Sequence, residues 1–223
     1  MKTIGIIGTG NMGGALAAAI CRATSPEYVY LTDANAQKAA SLAAELGCKS
    51  ADNEAVAREC DMLLLAVKPQ IMQAVLAPLA PVLRARTQKP LLISIAAGLS
   101  IATLTAFAGD DYPIVRIMPN TPAMVGEGML LYATNDSVSG AQLSVLLSLL
   151  RYAGKCDRLS EAQLDAAGSL SGCGPAFVCI VADALADGAL RCGIPKERRW
   201  STHGRPYSAP PSWRKRRAST PQS

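Results

Sequence analysis

Three glycines near the start of the chain are the first residues whose types and spacing can do chemistry. The run GIIGTGNMGGALAAAI places Gly8, Gly10 and Gly13 in a GxGxxG spacing. It follows an apolar, strand-like run and opens an alanine-rich, helix-like one, which is the context this spacing needs to hold a dinucleotide. Gly8 permits the tight turn, Gly10 lets backbone approach a pyrophosphate, and Gly13 lets helix and strand pack closely. The first N–H groups of the helix then face the phosphates. The plain alternative is three glycines that only punctuate a turn. Asp33 stands twenty residues after Gly13 at the end of the next strand-like run. An acid there accepts hydrogen bonds from adenosine ribose hydroxyls and repels a 2′-phosphate, which favours NADH over NADPH. The competing reading is that Asp33 caps a helix starting near Asn35.

Three more segments fall where strands should end and a ligand cleft should open: AVKPQ (Ala66 to Gln70), SIAAG (Ser94 to Gly98) and RIMPNTPAMVGEG (Arg116 to Gly128). In an open α/β sheet, ligands bind outside the carboxyl ends of the strands. Each Pro or Gly taken singly reads as a loop breaker; their placement after successive strands makes them cleft-lining candidates. Lys68 is a conceivable proton donor, but as a loop lysine it is better suited to contact cofactor or solvent. Residues 1–197 hold no histidine and no obvious nucleophile paired with a base, so no catalytic side chain is assigned. The seven cysteines are scattered without CxxC pairs, which suits reduced thiols and gives no metal site.

Positioning these residues requires a sheet. TIGIIG, YVYLT, DMLLLAV, LLISIA, PIVRIM and GMLLYAT read as strands, with Ala- and Leu-rich helical stretches between most of them. That alternation predicts a Rossmann-type, doubly wound parallel α/β sheet. The rhythm stops near Cys156. Ser160 and Gln163 then read as a capping box opening a helix, and Gly172 to Cys192 as a second, mostly apolar helix ended by Gly193 and Pro195. The expected organisation is a dinucleotide-binding domain over 1–158, the start of an all-α domain over 159–197, and a tail over 198–223.

The 223 residues are 50% apolar, enough for a core of this size. Charge separates the tail from the rest: of the formal +5, the tail carries +7 and residues 1–197 carry −2. The tail has both tryptophans and the sole histidine but no Ile, Leu, Val, Met or Phe, so it is expected to be disordered. WRKRR (Trp213 to Arg217) suggests nucleic-acid binding, but such a run is more often a solvated tail, and no nucleic-acid partner is expected. The longest apolar stretches singled out, MLLLAV and LLISIAA, are strand-sized, and the N-terminus lacks the apolar region of a signal peptide. A cytoplasmic protein with no membrane partner is expected.

GTGNMG, AVKPQ, SIAAG, MPNTPAMVGEG and SLSGCGPAFVCIVADALADGALRCGIPKE together resemble the pyrroline-5-carboxylate reductase family, from about residue 2 to 197. The resemblance implies reduction of 1-pyrroline-5-carboxylate to L-proline with hydride from NADPH or NADH, the last step of proline biosynthesis. It implies a Rossmann domain followed by a helical domain that swaps helices into a homodimer, often within a larger ring. Carried over by position, it puts Ile7, Gly8, Thr9, Gly10, Asn11 and Met12 on the pyrophosphate. Asn53 and Ala66, Val67, Lys68 and Pro69 fall on the nicotinamide half, with Ala97 near the ring. Asn120 and the turn Ser171, Gly172, Cys173, Gly174 and Pro175 border the substrate pocket. Cys173 stands where the family has a serine, and a thiol donates more weakly than a hydroxyl. Family members continue with further helices and a TSPGG-type loop that holds the substrate carboxylate. Here an Arg, Pro, Ser and Trp mixture follows instead, the composition an out-of-frame reading of a GC-rich gene gives. A truncated or frameshifted C-terminus, doubtful assembly and impaired activity are therefore expected. The alternatives are a noncatalytic dinucleotide-binding remnant, or another Rossmann reductase acting on an imine or hydroxyacid.

Overall fold

The computed structural model describes residues 2–194, so the expectations for the tail over 198–223 lie outside the described residues. The described residues divide into two units, with the boundary between Gly172 and Cys173. The first contains β1 (Ile4–Ile7), α1 (Asn11–Ala23), β2 (Val29–Thr32), α2 (Ala36–Leu46), β3 (Lys49–Ser50), α3 (Asn53–Glu59), β4 (Met62–Leu65), α4 (Met72–Arg84), β5 (Leu91–Ser94) and α5 (Ile101–Ala108). It continues through β6 (Ile114–Met118), β7 (Gly128–Thr134), α6 (Gly140–Leu150) and β8 (Gly154–Arg158) into α7 (Glu161–Arg191).

The strands form one sheet of order β3-β2-β1-β4-β5-β6-β7-β8. Pairing is parallel throughout except between β6 and β7, which run antiparallel. Every residue of β1, β4 and β5 is buried. Such continuous apolar runs are what a parallel sheet covered by helices on both faces demands. Along β4 the side chains alternate between faces: Met62 and Leu64 join the core under α1 and α6, Leu63 and Leu65 the core under α3, α4 and α5.

The sheet differs from the expected one in three places. β7 is antiparallel to its neighbour, because β6 reaches it through a short connection with a 3-10 turn at Thr121–Val125 and no crossover helix. β8, with sequence GKCDR, has no apolar pattern and is fixed by five paired positions along β7. β3 is only two residues long and exposed. Edge strands of this kind carry charge and little burial, so their sequences resemble loops.

Residues 161–191 are one helix, not the two expected. Its start follows the expected capping box on the glutamine side, with Ser160 N–H and hydroxyl both donating to Gln163 Oε1 at 3.3 and 2.8 Å. Pro175 does not end it. Proline removes one backbone donor and leaves the carbonyl four residues back unpaired; here that carbonyl belongs to Ser171 and accepts from the Asn120 side chain instead, at 2.9 Å. In the second unit, α7 exposes Phe177, Ile180 and Val181. By length and composition α7 is also long and apolar enough to cross a membrane, a longer apolar stretch than the strand-sized runs singled out from the sequence.

Candidate dinucleotide site

The glycine-rich turn sits where β1 ends and α1 begins, at the carboxyl edge of the parallel strands. Gly8 has φ 105°, a conformation that L side chains rarely adopt, and its N–H donates to Thr32 O at 2.8 Å. Gly13 is the close-packing glycine: a Cβ there would lie 2.1 Å from Gly8 O and 2.9 Å from Ala66 Cβ. Around Gly10 a Cβ would meet nothing within 4 Å, so backbone is open to approach there. The three glycines thus differ physically as the fingerprint requires: one turns, one packs, and one leaves a cradle that a pyrophosphate fits.

Asp33 is tied directly to this turn. Its Oδ2 accepts from Thr9 N–H at 2.7 Å and from the Thr9 hydroxyl at 2.9 Å, and its Oδ1 accepts from Asn35 N–H at 3.0 Å. Capping of α2 falls to Asn35, whose side chain accepts from Lys38 N–H at 3.1 Å. Partial burial alone raises the Asp33 carboxyl, but the bonds from Asn35 and Thr9 and the charge of Lys38 outweigh it, holding the net pKa below the ordinary 3.8. Asp61 behaves alike: burial raises it, while Lys2 and the Thr3 N–H and hydroxyl lower it further.

The acid response follows from the sign of these shifts. Carboxyls depressed in the fold contribute stability that is complete above the unfolded value and lost as pH falls through the folded one. The urea midpoint is therefore expected to stay flat with respect to these two groups above about pH 5 and to fall below about pH 4. Asp33→Asn should shrink that acid limb. A limb of unchanged size would show that Asp33 does not bear it.

Asn53 opens α3, where its Oδ1 accepts from the Thr32 hydroxyl at 2.8 Å. Asp33 and Asn53 line a cleft of about 820 Å³ beyond the end of β2. Thr9, Gly10 and Asn11 line a second hollow of about 570 Å³, with Lys38 and Met124. Ala66, Val67, Lys68 and Pro69 follow β4, with Ala66 N–H bonded to Ile7 O at 2.8 Å. Ala97 is exposed after β5, beside Gly98. Ile7 is buried in β1 and Met12 half-buried in α1. The nominated cofactor residues therefore gather along the ends of β1, β2, β4 and β5. Asn120 is buried between β6 and β7, and its Oδ1 accepts from Met129 N–H at 2.9 Å. Ser171 and Gly172 lie in the first unit. Cys173, Gly174 and Pro175 lie in the second, with Cys173 exposed on α7.

One group was missed from the sequence. Arg116, 2% exposed on β6, pairs with Asp165 and lies 3.6 Å from Glu161. Glu161 also accepts from Ile101 N–H at 2.6 Å, so these residues join β6, α5 and the start of α7. An arginine inside the otherwise apolar PIVRIM was the available signal, since a charge at a buried strand position needs a partner.

A mostly parallel sheet of this order, with a glycine-rich turn after its first strand and an acid after its second, defines a Rossmann-type dinucleotide-binding protein. Comparison with known proteins narrows this. The family model described as "NADP oxidoreductase coenzyme F420-dependent" matches residues 3–98, and "Pyrroline-5-carboxylate reductase dimerisation" matches 161–201. The chain is 36% identical to pyrroline-5-carboxylate reductase 3 of Macaca fascicularis over 87% of its own length and 70% of the relative's. It is 32% identical to pyrroline-5-carboxylate reductase of Corynebacterium melassecola over 88% of itself and 73% of that protein. A solved pyrroline-5-carboxylate reductase from Coxiella burnetii superposes with TM-score 0.85 at 26% identity, covering 99% of this chain and 86% of that one. A Plasmodium falciparum relative solved with NADP bound gives TM-score 0.79 at 29% identity, over 99% of this chain and 85% of that one. The chain belongs to the pyrroline-5-carboxylate reductase family.

Proposed function

We propose that the chain is an NAD(P)H-dependent reductase converting 1-pyrroline-5-carboxylate to L-proline. The observation that carries this is the glycine-rich turn pinned to Asp33 at the carboxyl edge of the sheet, in a chain of this family. When bound, the nicotinamide dinucleotide supplies the hydride. The protein's own part is to hold and orient. Gly10 and the first N–H groups of α1 receive the pyrophosphate, and the Asp33–Thr9 bonds keep the turn in shape for it. Asn53 and the Ala66 to Pro69 segment take the nicotinamide half, and Ala97 lies toward the ring. Asn120 and Ser171 to Pro175 border the imine. A protonated imine is already electrophilic, so orientation and exclusion of water do most of what is needed, in keeping with the absence of histidine from residues 1–197.

For the cofactor, the proposal is NADH over NADPH. The Asp33 carboxylate stays ionised at neutral pH and opposes a 2′-phosphate beyond β2. The dinucleotide-binding part is proposed to be 1–158 and the helical part to begin at 159, a reading supported by β8 ending at Arg158 and α7 opening at Glu161, although the chain divides into units after Gly172. The exposed apolar face of α7 and the dimerisation match favour a homodimer over a membrane as its partner. A cytoplasmic location accompanies this reading.

The test is direct. Purified, mass-verified chain should oxidise NADH only when 1-pyrroline-5-carboxylate is present, with L-proline as product and a lower rate on NADPH. Binding of NADH without imine-dependent turnover would replace this proposal with the noncatalytic reading. Faster turnover of a hydroxyacid or another imine would replace the substrate.

A further inference from the structure

We propose that Asn120 is a positioning residue, its side-chain amide replacing the backbone donor that Pro175 removes and holding Ser171 in place for the substrate. The functional part of this rests on the imine-reductase reading above. The geometric part does not.

Asn120 is buried and both ends of its amide are used. Its Oδ1 accepts from Met129 N–H at 2.9 Å, and its Nδ2 donates to Ser171 O at 2.9 Å. Only one orientation of the amide satisfies both, since a flip would set oxygen against oxygen and N–H against N–H. The target carbonyl is special. In an unbroken helix Ser171 O accepts from the N–H of residue 175, and residue 175 is proline. One side chain from the loop after β6 therefore closes the gap in α7 and ties it to the first residues of β7.

Ser171 also carries a buried hydroxyl oxygen with no hydrogen-bond partner among the described residues. Buried polar groups are nearly always paired, and one left unpaired beside a nominated substrate pocket is suited to receive a ligand group. The Asn120 bond fixes the stretch of backbone from which that hydroxyl projects. Asn120 thus acts on the pocket it borders through Ser171.

The test is a double-mutant cycle in the full chain, built on Asn120→Ala and Pro175→Ala. Pro175→Ala restores an N–H for Ser171 O, so the cost of losing Asn120 should shrink in that background; the Met129 contribution is common to both backgrounds and cancels. Hydrogen exchange of α7 amides near Ser171 should speed up about threefold to tenfold on Asn120→Ala, as expected for one hydrogen bond, and by less than about twofold when Pro175→Ala is present. Asn120→Asp, which keeps an acceptor for Met129 and loses the donor, serves the same cycle if the alanine variant fails to fold. In turnover, Asn120→Ala should raise the imine KM several-fold with the NADH KM unchanged. An exchange increment of equal size in both backgrounds overturns the proposal. So does a NADH KM that rises in step with that of the imine. The exchange arm needs no catalysis, so its outcome stands apart from that of the reductase assay.

Discussion

Replacing Gly13 with alanine is expected to destabilise the whole first unit, whereas the same change at Gly10 is expected to leave stability intact and remove dinucleotide binding. A Cβ at Gly13 would sit 2.1 Å from Gly8 O and 3.1 Å from Gly8 C, which are backbone atoms of the turn, and 2.9 Å from Ala66 Cβ. None of these is the end of a flexible side chain. Relief requires α1 to move off β1, or the turn to leave the geometry that Gly8 at φ 105° and the Asp33–Thr9 bonds impose. Overpacking against a fixed core costs about 3 kcal/mol, and for a chain of this size each kcal/mol lowers Tm by roughly 2–4 °C. A fall of roughly 6–12 °C is therefore expected for Gly13→Ala. At Gly10 a Cβ meets nothing within 4 Å, and the residue already has φ −64°, which alanine adopts freely. The Tm of Gly10→Ala should stay within about 2 °C. The added methyl stands where a pyrophosphate approaches the backbone, so the NADH Kd should rise about 100-fold, equivalent to about 2.7 kcal/mol. Calorimetry and NADH fluorescence titration of the two variants read both quantities. If Gly10→Ala bound NADH as the parent does, the pyrophosphate would lie elsewhere.

These glycines also mark where the sequence is a good guide to the structure. The turn, the strands β1, β2 and β4 to β7, and the acid after β2 are local features, and local patterns report them: apolar runs for strands buried on both faces, glycines where backbone must turn or pack. What escaped depends on residues far apart in the chain. β8 carries Lys155, Asp157 and Arg158 and exists because β7 is there to pair with it. A new helix was expected at Gly172, whereas α7 runs unbroken through Gly172, Gly174 and Pro175, residues that disfavour helices on their own. A side chain 51 residues earlier supplies the missing bond, and no spacing rule shows it. The same holds for Asp33. Its position was legible, but its engagement with Thr9, which braces the turn, is a tertiary fact that no spacing shows.

Arg116 shows the energetic side of such distant pairing, and its two acids should matter more together than the arginine itself. Its guanidinium is 2% exposed, whereas the Glu161 and Asp165 side chains are 36% and 60% exposed. Its Nε has no partner among the described residues, so nearly all compensation for the buried charge comes from the two carboxylates. Neutralising both, as Glu161→Gln with Asp165→Asn, strands a buried cation and is expected to cost about 3–5 kcal/mol. Arg116→Met removes the cation and keeps most of its volume. The acids it frees remain in contact with water and can be hydrated, so the expected cost is only about 1–2 kcal/mol. The triple variant then tests the reasoning: with no charge left to strand, its stability should recover to near that of Arg116→Met. Urea denaturation of the four proteins reads the series. Additive losses in the triple variant would mean that the acids act through the Ile101 N–H and the start of α7 rather than through the buried charge. Recovery would establish that the two acids act through the buried cation by which β6 meets the first turns of α7.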